Sequence, residues 1–350
     1  MDAAAAAPAL LRGERFAPPR WLRNAHLQTV LASASLRRWL LVRARREVEH
    51  DARAELIDCG AGVRLQGLLT RQRRQATARG LVVLIHGWEG SAHSTYLTGV
   101  AAALLQAGCD VLRLNLRDHG HTQHLNRGLF HSCRLDEVVG AVRAVHSELA
   151  QAPPALVGFS LGGNFALRVA LRLPEALAGV VAVCPVVSPQ AGLFGLEHGP
   201  WFYQHYFLHK WRRSLRRKRA AFPQVDWFSR ADLRGDLRAL TRTLVLRHTD
   251  FASLEDYLDG YSIAGARLAG LRVPTTILAA ADDPVIPVAD FRALRLPPQV
   301  ELDIAAHGGH CGFLGAAFPH SFLERYVLQR VLRAFAAQAH AAGRAAPHEA

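Results

Sequence analysis

Five short, mostly apolar runs constrain this chain more than any other feature: Leu81–Ile85, Asp110–Leu114, Ala155–Phe159, Ala178–Cys184 and Thr275–Ala280. Each is strand-sized, and none shows the polar alternation of a strand with one face in water. Strands of this kind are covered on both faces, as in a parallel sheet wrapped by crossover helices. The segments between them fit that role. Tyr96–Ala107 is helix-like, and 134–150 carries Leu135, Val138, Val139, Val142, Val145 and Leu149 at three- and four-residue steps. A further helix is expected from Leu161 to Leu173. The fold class this predicts is α/β, with a doubly wound, mostly parallel sheet.

The rest of the chain is arranged around that sheet. Ala54–Asp58 and Val63–Leu69, joined through Cys59-Gly60-Ala61-Gly62, read as an antiparallel hairpin ahead of it. A short helix around 288–296, a strand Val300–Ile304 and a long helix near 320–339 follow its last apolar run. Residues 1–50 are basic, contain Trp and Leu, and are poor in strand signals. They are expected to form a helical extension packed across the main domain, which spans 51–340. Between about 189 and 265 the rhythm breaks into an aromatic, basic and irregular stretch, read as an insertion between two sheet strands. A disordered tail is expected over 341–350.

Composition narrows the class. Apolar residues make up 50% of the 350, which excludes intrinsic disorder. No run approaches the length of a transmembrane helix, and the N-terminus has no basic region ahead of its apolar stretch, so no signal peptide is expected. The 5 cysteines are scattered singly, without a Cys-x-x-Cys pair. That pattern predicts neither a disulfide framework nor structural zinc, and suits a reducing cytoplasm. The net charge of +13 is partly concentrated in Lys210–Arg219. Without any nucleic-acid-binding signature beside it, that run does not predict a nucleic-acid partner. A peripheral contact with anionic lipid surfaces is the alternative role for it.

Chemistry enters at Gly158-Phe159-Ser160-Leu161-Gly162, a Gly-x-Ser-x-Gly run where a strand meets a helix. A serine on so tight a turn points its hydroxyl above the sheet edge, and Gly158 and Gly162 let strand and helix backbones approach closely. A serine hydroxyl needs a base, and the base needs a carboxylate to orient it. Sheet enzymes of this kind present the three in the order Ser, acid, His. Asp282-Asp283-Pro284 follows the strand Thr275–Ala280, and His307-Gly308-Gly309-His310 follows the strand Val300–Ile304. Both therefore fall at carboxyl ends of strands, where open α/β sheets place their sites. An oxyanion needs donors as well. The backbone N–H of Leu161 and that of Trp88, after His86-Gly87, are the candidates.

Five segments carry a family resemblance: Asn24–Val30, His86–Ser91, Gly158–Asn164, Asp282–Pro287 and Gly308–Phe313. Together they resemble the YheT-type branch of the α/β-hydrolases, which spans bacterial esterases and mammalian lipases. The resemblance implies an α/β-hydrolase fold and a carboxylic ester hydrolase that needs no cofactor and no metal. It further implies Asp283 rather than Asp282 as the carboxylate, and His310 rather than His307 as the base. Where relatives read Asn-x-Arg-Gly, this chain has Asn115-Leu116-Arg117-Asp118-His119-Gly120. The expected nucleophile is then Ser160. The aromatic insertion, with Trp201, Phe202, Tyr203 and Tyr206, is expected to form a lid over an acyl pocket for a small-molecule or lipid ester.

Two other readings compete. Asp118, His119, His121 and His124 resemble the ligand run of a zinc hydrolase, although Gln123 stands where a carboxylate is expected. A non-catalytic binding protein that keeps the fold is the second, since a fold alone does not establish function.

Overall fold

A computed structural model describes residues 16–345; residues 1–15 of the expected extension and 346–350 of the expected tail lie outside it. Strands β1 (Arg53–Asp58) and β2 (Arg64–Thr70) form the hairpin. After them come β3 (Leu81–Ile85), β4 (Asp110–Asn115), β5 (Ala155–Phe159), β6 (Gly179–Val183), β7 (Thr275–Ala280) and β8 (Val300–Ala305). They make one eight-stranded sheet in the order β1-β2-β4-β3-β5-β6-β7-β8. β2 runs antiparallel to β1 and β4, and every other pair is parallel. The central strands β3, β5, β6 and β7 are buried along their whole length, as their largely apolar sequences require.

Three N-terminal helices precede the sheet: α1 (Ala25–Ser33), α2 (Ser35–Leu40) and α3 (Val42–His50). Asn24 starts α1 by accepting the Leu27 N–H at 3.0 Å. The crossovers are α4 (Thr95–Gln106), α5 (Leu135–Ala144), which widens into a π turn over Val145–Leu149, and α6 (Leu161–Arg172). α5 and α6 cover one face of the sheet, while α3, α4 and the closing helix cover the other.

The stretch read as irregular is helical. It contains α7 (Pro189–His198), α8 (Trp201–Ala221), α9 (Leu237–His248) and α10 (Leu254–Gly260). Ser188, Asp236 and Ser253 each accept an N–H from the first turn of the helix that follows. The inward positions of α8 are Tyr203, Leu208, Trp211, Leu215 and Lys218, and Leu208, Trp211 and Leu215 join Leu240, Leu244 and Leu258 in a separate small core. A lysine on the inward face, with Trp201 and Tyr206 exposed outside it, hides this period from a hydropathy reading. α11 (Val288–Arg292) is shorter than expected, and α12 (Phe322–Ala345) continues beyond 339 into the stretch expected as a tail.

Candidate active site

Ser160 stands between β5 and α6 with φ 54° and ψ −119°, a conformation an L-residue holds only where the surroundings enforce it. Two glycines make the turn passable. A Cβ on Gly158 would lie 2.1 Å from the Gly162 carbonyl oxygen, and one on Gly162 would lie 2.4 Å from that of Ile85. Ser160 Oγ lies 2.9 Å from His310 Nε2. His310 Nδ1 lies 2.8 Å from Asp283 Oδ2. The other oxygen, Oδ1, accepts the N–H groups of Val285 at 2.8 Å and Ile286 at 3.0 Å. The carboxylate is thus fixed as an acceptor on both sides. In its neutral form His310 then carries its proton on Nδ1 and offers Nε2 to the serine hydroxyl. Burial disfavours the imidazolium, but the charge of Asp283, the neighbouring Cys311 and the Asp283 hydrogen bond outweigh it and raise the His310 pKa to about 9.

The structure therefore brings together Ser160, Asp283 and His310 from the carboxyl ends of β5, β7 and β8. Asp282 and His307 form a parallel pair, with 3.4 Å between Oδ2 and Nδ1. Asp282 Oδ1 also accepts the Gly309 N–H at 2.9 Å, bracing the loop that carries His310.

A brace for the same loop that the sequence reading did not single out comes from α1. Thr29 Oγ1 accepts the His310 N–H at 2.9 Å. Gln28 is fully buried, donating to the carbonyls of Leu22 and Leu314 and accepting the Leu314 N–H at 2.7 Å. α1 lies so close that a Cβ on Gly309 would sit 2.5 Å from the Ala25 carbonyl oxygen. The Asn24–Val30 segment and the Gly-Gly-His segment thus belong to one contact, although nearly the whole chain separates them.

Trp88 and Leu161 both border the space beside Ser160. Among the described residues, no hydrogen bond uses either backbone N–H. The loop that carries Trp88 is fastened by two neutral histidines. His86 donates from Nδ1 to the Gly87 carbonyl at 2.7 Å and accepts the Leu116 N–H at Nε2. His119 donates to the Arg117 carbonyl at 2.7 Å and accepts the Glu89 N–H at 3.1 Å. Burial is the main cause that holds both rings uncharged, His86 far below its usual value and His119 at about 4. Gly87 must be small, since a Cβ there would lie 3.1 Å from the Ser160 Cβ.

A cavity of about 590 Å³ opens from Ser160 and His310 towards the insertion. Leu193, Leu196, Phe207, Trp211, Leu244 and Ile286 give it an apolar wall, and no Asp or Glu lines it. Trp88 stacks on Phe207 with 5.2 Å between ring centroids. Of the four aromatic residues expected here, Phe202, Tyr203 and Tyr206 line the cavity. Trp201 does not: it is 75% exposed at the first turn of α8, pointing away from the inward face.

The metal-ligand reading of Asp118, His119, His121 and His124 fails on geometry. Asp118 is held by Lys218 at 2.7 Å, and both ring nitrogens of His119 are engaged as described. Among the described residues, these four form no group whose ligand atoms converge.

The fold and these contacts define the class, and the chain belongs to the α/β-hydrolase family, whose model, "alpha/beta hydrolase fold", matches residues 80–317. Within that family it is of the YheT type. YheT of Escherichia coli (strain K12), named as an esterase, is 29% identical over 317 residues, covering 87% of this chain and 88% of that protein. The pimeloyl-(acyl-carrier protein) methyl ester esterase of Stenotrophomonas maltophilia (strain K279a) is 34% identical over 250 residues, covering 67% of this chain and 88% of the relative. Among solved structures, the proline iminopeptidase of Mycobacterium smegmatis matches with a TM-score of 0.53 at 17% identity, over 82% of this chain and 100% of that one. A Pyrococcus furiosus esterase matches at 0.52 with 16% identity, over 81% and 90%. Those structural likenesses are of fold.

Proposed function

We propose that the protein is a carboxylic ester hydrolase working through Ser160, His310 and Asp283. The observation that carries this reading is the unbroken hydrogen-bond chain from Ser160 Oγ through His310 to Asp283, opening onto an apolar cavity. Ser160 attacks the acyl carbon while Nε2 of His310 takes its proton. Asp283 fixes the tautomer and stabilises the imidazolium that forms. The N–H groups of Trp88 and Leu161 receive the oxyanion, and the helix N-terminus behind Leu161 favours its charge. His310 returns the proton to the leaving alcohol, and water repeats the sequence on the acyl-enzyme. No metal or cofactor enters any step.

The four-helix insertion acts as a lid, and its apolar lining suits a small-molecule or lipid ester with an apolar acyl group. The exposed Arg213, Arg216 and Arg219 on α8 provide a peripheral contact with anionic lipid. No helix among the described residues is long and apolar enough to cross a membrane. Five free cysteines suit a cytoplasmic location.

A panel of p-nitrophenyl esters of rising chain length, run on wild type and Ser160→Ala, tests the reading. Hydrolysis lost by at least about a thousandfold in the variant is the expected result. Equal rates in both proteins would refute it.

A further inference from the structure

The floor beneath His310 holds two cysteines that ester hydrolysis does not use. Cys184 ends β6, and Cys311 follows His310 directly. Their Sγ atoms and a ring nitrogen of His310 all lie within 4.8 Å of one another. Each thiol points at the backbone beside the other: Cys311 Sγ lies 3.7 Å from the Val183 carbonyl oxygen, and Cys184 Sγ lies 3.9 Å from that of Gly309. Both residues sit at positive φ, 43° for Cys184 and 59° for Cys311. The backbone thus holds two side chains face to face at a place where most residues would be strained. Their access differs. Cys311 lines the cavity, so a small solute that reaches Ser160 also reaches Cys311, whereas Cys184 is fully buried behind it.

We propose that Cys184 and Cys311 form a peroxide-operated dithiol switch, in which a disulfide between them turns off the ester hydrolysis described above. The Cys311 thiolate, its proton having passed to His310, attacks one oxygen of hydrogen peroxide; the O–O bond breaks, and the leaving hydroxide takes that proton back from the His310 imidazolium to become water. The resulting sulfenic sulfur is attacked by Cys184, which gives up its proton as the S–S bond forms and a second water departs. Two thiols are oxidised, one peroxide is reduced, and the sum is a disulfide and two waters. The order of attack follows from access, with Cys311 at the cavity wall and Cys184 as the resolving thiol.

Charge favours the same order. Burial opposes the Cys311 thiolate, but the Cys184 hydrogen bond and the His310 imidazolium overcome it and bring its pKa below the usual value. Burial instead pushes Cys59 and Cys133 to about 12 and Cys109 to about 11. Those three remain thiols and react slowly. Closing the bond draws two sulfurs that now lie within 4.8 Å of one another to about 2.05 Å. Cys311 moves with it, and so does His310, to which it is joined by a single peptide bond. A displacement of about 1 Å at a reacting group costs on the order of a hundredfold in rate.

The test treats the reduced protein with hydrogen peroxide and digests it without reductant. Mass spectrometry reads the cross-link, and p-nitrophenyl ester hydrolysis is followed in parallel. The expected result is a peptide pair joined through Cys184 and Cys311, a loss of rate of about a hundredfold, and recovery of both on adding dithiothreitol. Cys184→Ser, which retains a hydrogen-bond donor beside Cys311, should keep the reduced rate, form no cross-link, and leave a Cys311 sulfenic acid that dimedone captures. Peroxide that leaves both thiols free, or a cross-link that leaves the rate unchanged, would overturn the proposal. The switch rests on the esterase reading only through its rate measurement. A reduced protein inert towards every ester would count against that reading, while the cross-link itself is read by mass alone.

Discussion

Lys218 is a buried charge outside the candidate active site, and replacing it gives a sharp stability prediction. Its side chain is 1% exposed and that of Asp118 is 7% exposed. The ammonium donates to Asp118 Oδ1 at 2.7 Å and to the carbonyls of Asn126, Gly128 and Gln123 at 2.5, 2.9 and 3.3 Å. Asp118 also accepts the Phe130 N–H at 2.8 Å. Burial, more than any neighbour, pushes the Asp118 pKa up and the Lys218 pKa down, so desolvation outweighs attraction at both ends. A pair of that kind adds little by existing but is expensive to break, because a lone buried charge is left behind. Lys218→Met keeps the stem and removes the ammonium. It strands Asp118 and three carbonyls, and should cost about 3–5 kcal/mol. Asp118→Asn keeps a residue tolerant of the observed φ of 62° and should also destabilise. The double variant should cost less than the sum of the singles by at least about 1 kcal/mol, since neither charge is then orphaned. Urea unfolding followed by tryptophan fluorescence measures all four proteins. A cost below about 1 kcal/mol for Lys218→Met, or additivity to within about 0.5 kcal/mol, would refute the reasoning.

Three further outcomes are expected. His310 must be neutral to accept a proton, and its pKa is raised to about 9, so kcat/KM should climb with pH from neutrality and level off above about 9. A profile already flat at neutral pH would contradict the electrostatics given for the site. Gly162→Ala forces a Cβ to 2.4 Å from the Ile85 carbonyl oxygen; it should destabilise by about 1–3 kcal/mol, read by urea unfolding, and lower the rate by displacing the turn at Ser160. Thr29→Val removes the acceptor for the His310 N–H and should lower kcat by about tenfold with KM little changed, a loss of about 1.4 kcal/mol in positioning. Steady-state kinetics on a soluble ester decide it, and an unchanged kcat would remove Thr29 from any positioning role.

The sheet was legible because its strands are covered on both faces. A run such as Leu81–Ile85 has no solvent side to blur it, and β5 and β7 fall at the residues expected. The order of Ser160, Asp283 and His310 was legible for a related reason: each follows a strand, and strands in a parallel sheet end at one edge. Choosing Asp283 over Asp282 needed the family resemblance, because nothing local distinguishes two adjacent carboxylates. The insertion was misread because α8 has Lys218 on its inward face and the exposed Trp201 and Tyr206 outside it, which blurs its apolar stripe. Lys218 is buried there only through a partner 100 residues away. Thr29 and Gln28 were invisible as site residues for the same physical cause. Their hydrogen bonds join positions more than 280 residues apart, and such contacts leave no periodicity in the chain. The Cys184–Cys311 pair is of this kind too, since scattered single cysteines give no spacing to read.

The central claim is that Ser160 carries the acyl group during turnover. Rapid quenching of the protein with p-nitrophenyl acetate, followed by peptide mass analysis, tests it directly. The account predicts a burst of p-nitrophenol equal to the enzyme present, with the acetyl group on the peptide containing Ser160 and neither burst nor adduct in Ser160→Ala. An acetyl group found on another residue, or turnover undiminished in the alanine variant, would contradict it.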